Sequence, residues 1–152
     1  MIVDFIDPKE DKLYSRLYEQ GLMIVEQSNG CELLDKFEAL DSASRAAGDH
    51  KDYPNEIAKS RGNYQSALGA VVAKELSEAL GWHIAWIRSE KETVDDNVLS
   101  VIDSERRFVI FPILLARRAQ SAKIAPCVSV YEKIKRGDLP DVPPGSFHEI
   151  KP

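Results

Sequence analysis

Between Tyr64 and Arg118 the apolar residues read as one long helix, three short strands and a second helix, and the change of period after the first helix limits the folds open to this chain. Tyr64, Leu68, Val71, Val72, Leu76 and Leu80 recur at helical spacing, and Gly81 follows as a natural stop. Three short runs then replace the helical period: Trp82 to Ile87, Val98 to Ile102 and Phe108 to Phe111. Each is rich in β-branched and aromatic residues and bounded by polar or proline punctuation, which predicts strands. The links between them, Glu90 to Asn97 and Asp103 to Arg106, are too short for a parallel crossover, so an antiparallel meander is expected.

Helical patterns flank this stretch. Asp7-Pro8 opens a first helix with the acceptor-then-proline order of an N-terminus, and the spacing places Leu13, Leu17 and Met23 or Ile24, with Tyr14 and Tyr18 beside them, on its core face through about Glu26. Gly21 either kinks that helix or ends it early. After the turn Ser28-Asn29-Gly30, Leu33, Leu34, Phe37 and Leu40 share one face of a second helix, and Asp41 to Tyr53 reads as a frayed end and exposed loop. A helix restarting near Pro54 or Asn55 runs to Leu80, or two helices join at Ser60 to Asn63. Pro112 stands where a helix begins, followed by Ile113, Leu114, Leu115 and Ala116. For Val128 to Arg136, the Val128, Tyr131, Ile134 spacing favours helix over the strand-like Val128, Val130 alternation. Met1 to Ile6 is an edge strand or an ordered tail, and the Pro-rich residues 139–145 are extended and hold no regular structure.

The expected fold is α+β: N-terminal helices, a small antiparallel sheet of about three strands with one face covered by helices, then C-terminal helices. Trp82, Ile84 and Trp86 share one strand face, which is assigned to the core, and His83, Ala85 and Ile87 take the other. Length supports one domain over 1–152, with an acidic helical part at 1–60, a helix-sheet-helix core at 61–136 and an extended tail at 137–152. A chain of 152 residues buries roughly two-thirds of its unfolded surface, and 43% hydrophobic with 30% charged residues places it among globular proteins.

Several chemistries find no support. Cys31 and Cys127 are far apart and make neither metal-ligand spacing nor a disulfide framework, so a reducing, cytoplasmic setting is expected. Residues 1–20 lack the layout of a secretion signal, and the longest apolar run, Phe108 to Ala116, is broken by Pro112 and falls short of the roughly 20 residues a membrane helix needs. His50, His83 and His148 lie in a loop, a strand and the tail, without the close-spaced pair of a zinc site. Neither Cys127 with His83 nor Ser66 with His50 sits in a nucleophile-elbow context, and Gly62, Gly69 and Gly81 form no phosphate-cradling pattern. Asp95-Asp96 is the sharpest carboxylate pair, but adjacent acids in a charged loop usually point apart. No catalytic residue, metal or cofactor is assigned.

Charge is the remaining signal. Of the net −5, residues 1–60 hold 13 Asp/Glu against 7 Lys/Arg, while residues 61–152 hold 12 against 13. An acidic half repels phosphate and argues against a nucleic-acid partner. It suits a basic protein partner, because opposite fields speed encounter. Acidic helices also serve plain solubility. The doublets Arg106-Arg107 and Arg117-Arg118 either line a positive patch or, the commoner outcome, pair with nearby acids.

The run Tyr64-Gln65-Ser66-Ala67-Leu68-Gly69-Ala70, the junction Leu80-Gly81-Trp82, the strand Trp82 to Ile87 and the close Phe108-Val109-Ile110-Phe111-Pro112 resemble a group of small bacterial proteins that includes cytoplasmic immunity proteins, which neutralise toxins exchanged between competing bacteria. The likeness spans roughly Gly62 to Arg136. It implies an immunity protein that occludes a cognate toxin by docking an acidic surface over a basic cleft, with no membrane partner and no reaction of its own. On that reading the partner-binding residues are sought at Asp41, Asp49, Asp52 and Glu56, with Tyr53 as an anchor, or on the loop of Glu92, Asp95 and Asp96. A regulatory or adaptor domain would share these features. An enzyme acting on a small molecule would instead require a deep pocket with converging polar groups.

Overall fold

The first strand of the sheet is the N-terminus itself. The computed structural model describes residues 1–29, 36–47, 61–121 and 125–152. Over these the chain runs β1 (Ile2–Phe5), α1 (Lys12–Asn29), α2 (Lys36–Ala47), α3 (Arg61–Leu80), β2 (His83–Arg88), β3 (Val98–Ile102), β4 (Phe108–Ile110), α4 (Pro112–Ser121), α5 (Pro126–Lys135) and β5 (His148–Glu149), with a 3-10 turn at Val94–Asp96. The α+β class stands. The sheet, however, has five strands in the order β1-β2-β3-β4-β5, not about three, and the chain does not run from helices to sheet to helices, because its first and last strands form the two edges.

The meander β2-β3-β4 is antiparallel as its short links require, and β1 adds antiparallel to β2. β5 lies parallel to β4, with Phe108 opposite His148. Residues 139–145 carry no regular structure, but the chain beyond them docks through its main chain: the His148 N–H donates to the Arg107 carbonyl at 2.8 Å and the Ile150 N–H to the Val109 carbonyl at 3.0 Å. Ile150 itself enters the main core.

Strand parity sorts the sheet into two faces. Ile84, Leu99, Val101 and Ile110 join Val72 and Leu76 of α3, Leu115 of α4 and Val130 of α5 in the main core, with Trp82 and Trp86 packed half-buried against it. The opposite face is not the solvated one expected of a one-sided sheet. Ala85, Ile87, Ile102 and Val109 are buried there as a second apolar cluster, with Val3, Phe111 and Phe147 against them. Central strands with apolar residues on both faces, such as Val-Leu-Ser-Val-Ile, are suited to that burial.

α3 is the central helix. Ala67, Leu68, Ala70, Val71, Val72, Ala73 and Leu76 are all buried, which leaves it little solvent face, and α1, α2 and α4 all pack on it. Gly21 does not end α1, which runs unbroken from Lys12 to Asn29. It lets the helix cross α3 at close range, since a Cβ there would overlap the Ala67 carbonyl oxygen and lie 2.5 Å from Val71 Cγ2. The core face of α1 follows its spacing at Leu17, which packs against the main core, and at Ile24, which is buried while Met23 is exposed, but departs from it at Leu13, which is exposed while its neighbour Tyr14 is buried. Tyr14 takes the core position because its hydroxyl reaches the Ala70 carbonyl, donating at 2.7 Å. α2 continues as helix through Ala47 where fraying is expected, burying Asp41, Ala43 and Ser44. α5 is helical and closes in a Schellman arrangement, the Gly137 N–H donating to the Ile134 carbonyl and the Asp138 N–H to the Lys133 carbonyl.

Candidate functional site

Of the eight acidic and aromatic residues expected to meet a partner, Asp49, Asp52, Tyr53 and Glu56 lie outside the described residues. Asp41 is placed, and it is not on the surface. It is 2% exposed, and its two carboxylate oxygens accept the Cys127 N–H at 2.9 Å and the Val128 N–H at 3.1 Å. Those are the second and third amides of α5. Pro126 ahead of them has no N–H, and the Ser129 N–H already finds the Ala125 carbonyl, so Asp41 caps α5 from another helix and leaves none of these donors orphaned. The Cys127 thiol beneath it is pushed well up in pKa, first by burial and then by the Asp41 charge, which makes it an inert packing group.

The other three acids, Glu92, Asp95 and Asp96, are exposed on the β2–β3 connection, and they divide in role. Glu92 accepts the Ser89 N–H at 2.6 Å, and Asp96 accepts both the Thr93 N–H at 2.9 Å and the Thr93 hydroxyl at 3.0 Å, so these two shape the loop. Asp95 makes no hydrogen bond or ion pair among the described residues. It stands on the rim of a groove of about 420 Å³ lined by Asp11, Leu13, Trp86, Val94, Asp95 and Asn97.

Local structure explains how these residues meet. Asp11 precedes α1 and caps it, its carboxylate accepting the Tyr14 N–H at 2.8 Å; its other oxygen accepts the Trp86 indole N–H at 3.2 Å, which ties the helix start to the sheet. Asn97 is held by the Arg88 guanidinium at 3.1 Å, which also reaches Asp4 of β1 at 3.2 Å. With Tyr14 turned into the core, Leu13 is turned out. Leu13 at 58% and Val94 at 66% exposed are two of the large apolar side chains that the fold leaves in water, and both border this one groove. Sequence reasoning missed Asp11 and Leu13 here; the signal available was Asp11 at an N-cap position beside two candidate core residues, of which only one could face inward.

A second cleft, of about 400 Å³, lies across the start of α1, between Asp7 to Lys9, Tyr14, Ser15, Tyr18 and Glu19 on one side and Lys74, Ser77 and Glu78 of α3 on the other, with Ile84 beneath. The Lys74 ammonium donates to the Tyr18 hydroxyl at 3.3 Å, sits 4.5 Å from the centroid of that ring, and is 3.9 Å from a Glu78 oxygen. The hydrogen bond to Tyr18 is the main reason its pKa is raised. Burial, with the neighbouring Tyr18, raises Tyr14 as well. Both shifts run away from neutrality. They keep a cation and a neutral phenol rather than presenting a group that exchanges its proton near pH 7.

Elsewhere the basic doublets are largely engaged: Arg106 lies over the Phe5 ring, Arg107 meets Glu105 at 2.8 Å, Arg117 donates to Gln65 at 3.4 Å and Arg118 is 3.8 Å from Glu149. His83 packs edge-on to Phe5 and His148 edge-on to Phe108. Among the described residues no three His, Cys, Asp or Glu side chains gather as a metal site, and no helix is long and apolar enough to cross a membrane. Compared with known proteins, the chain matches no family model, no curated protein and no solved structure.

Proposed function

We propose that this chain works by occlusion, as an immunity-type protein that docks an acidic, apolar-centred surface over a basic cleft of a partner, a cognate toxin being the partner that the resemblance implies. The observation that carries this reading is the groove over Trp86. Exposed Leu13 and Val94 supply apolar surface that gains by being covered, and Asp11 and Asp95 at its edge, with Glu92 and Asp96 on the same loop, supply the matching charge. Anchors desolvated at such a centre carry most of the affinity, while the rim acids raise the encounter rate. The protein breaks no bond in this scheme, and it acts in the cytoplasm.

Affinity capture of the tagged full chain from its own cells tests the proposal. Stoichiometric recovery of a protein with a basic cleft, whose activity the chain suppresses, is the expected result. Persistent recovery of no partner, with crosslinking included, overturns it. An adaptor would present the same surface without suppressing any activity. The enzyme alternative rests on the Tyr18–Lys74 cleft, and is favoured if small molecules protect that cleft rather than the groove from hydrogen exchange.

A further inference from the structure

We infer that the groove over Trp86 is a receptor for a single arginine side chain presented by the partner, an inference that rests on the occlusion reading and names the chemistry of its central contact. The lining divides as an arginine does. Leu13, Val94 and the half-buried Trp86 form an apolar stretch suited to a three-carbon stem, and carboxylates stand at Asp11 and Asp95 for the guanidinium.

The two carboxylates are not equivalent, and the difference selects the ligand. Asp11 is fixed by the Tyr14 N–H and the Trp86 indole N–H, so it offers a rigid, already oriented acceptor with lone pairs to spare. Asp95 is unpaired among the described residues although it sits on a turn held in shape by Thr93 and Asp96. A free carboxylate on a preorganised turn, beside an indole, matches a planar cation that binds a carboxylate through two parallel N–H groups and stacks on aromatic surface. An ammonium ion satisfies the charge but neither the fork nor the plane. A neutral or anionic group would leave Asp95 repelled or buried without a partner.

The test uses ¹H–¹⁵N spectra of the full chain, in which Trp82 and Trp86 give two indole N–H signals that the Trp82→Phe variant assigns. Capped Gly-Arg-Gly, Gly-Lys-Gly and Gly-citrulline-Gly are the probes, citrulline being the uncharged near-isostere of arginine. The arginine peptide is expected to shift the Trp86 signal saturably while the Trp82 signal holds still, the citrulline peptide to bind about tenfold more weakly or less, and Asp95→Asn to weaken the arginine peptide by about fivefold or more. Asp95 lies outside the hydrogen bonds that shape the loop, so that variant should fold as the parent does, and its unchanged amide spectrum away from the groove verifies this. A silent Trp86, equal binding of citrulline or of lysine, or indifference to Asp95→Asn each overturns the inference. The outcomes also separate the two proposals: a captured partner with a silent Trp86 leaves occlusion standing, whereas an arginine response with no partner overturns occlusion, and with it the partner as the arginine's source, and leaves only the groove's preference for arginine.

Discussion

At the scale of single residues the energetics turn on groups whose surroundings invert their usual meaning. Asp41 looks like a solvated acid and is a buried cap; its replacement by Ala should strip two amides of their acceptor and cost about 3 kcal/mol of unfolding free energy, with Asn, which keeps one acceptor oxygen, recovering about half. Denaturant melts of the three proteins check this. Gly21→Ala gains about 1 kcal/mol of helix propensity, but the added methyl meets the Ala67 backbone, which cannot swing aside as a side chain would. A net loss of about 2 kcal/mol is expected, and a neutral result would mean that α1 can slide on α3.

Buried Tyr14 and Cys127 make a prediction in pH. Both have folded pKa values raised chiefly by burial, so the stability they contribute is fully present below their unfolded values, near 8.5 for Cys and 10 for Tyr, and is lost as pH climbs above these toward the folded values. Unfolding free energy should begin to fall above about pH 8.5 and more steeply above about pH 10. Cys127→Ala should remove the first phase. Tyr14→Phe should shrink the second, to which Lys74 with its raised pKa also contributes, at a cost of about 1 kcal/mol at neutral pH for its lost hydrogen bond to Ala70.

At the scale of elements, legibility followed how local each cause is. β3 and the start of α4 fall where β-branched runs and Pro112 place them, and Gly137 ends α5 because its φ of +69° is costly for any other residue. β5 gave no such signal. Two residues, His148 and Glu149, form a strand only because β4 offers its backbone alongside and Ile150 is anchored in the core. Removing residues 146–152 should therefore uncover both the β4 edge and the Ile150 pocket, and is expected to lower the melting temperature of the whole protein rather than leave it unchanged as loss of an idle tail would. Leu13 of α1 departs from its spacing for a related reason: Leu13 and Tyr14 are both apolar enough to face inward, and the tie between Asp11, Trp86 and the sheet, together with the carbonyl of Ala70, selects Tyr14.

For the molecule as a whole, β1 and β5 form the two edges of the sheet and the net acidic charge is concentrated in residues 1–60. If that field steers a basic partner, raising ionic strength from about 0.05 to 0.5 M should slow association about tenfold or more while changing dissociation little. Stopped-flow measurement against the captured partner reads this directly. A dissociation-dominated salt effect would point to ion pairs at the centre of the interface instead.

The chain on its own determined what depends on neighbours a few residues away: the helix-to-strand change after Gly81, the antiparallel meander, the helix opened by Pro112 and the unequal charge of its halves. Tertiary structure decided which apolar residue of a pair turns inward, that Gly21 is a crossing point and not a break, that a two-residue strand exists at all, and that Asp41 is a cap while Asp95 pairs with none of the described residues. These are set by contacts between segments as much as 87 residues apart, such as Asp41 with Val128. A local pattern specifies periodicity, but it carries no information about which distant backbone will arrive to accept a hydrogen bond or exclude a methyl group.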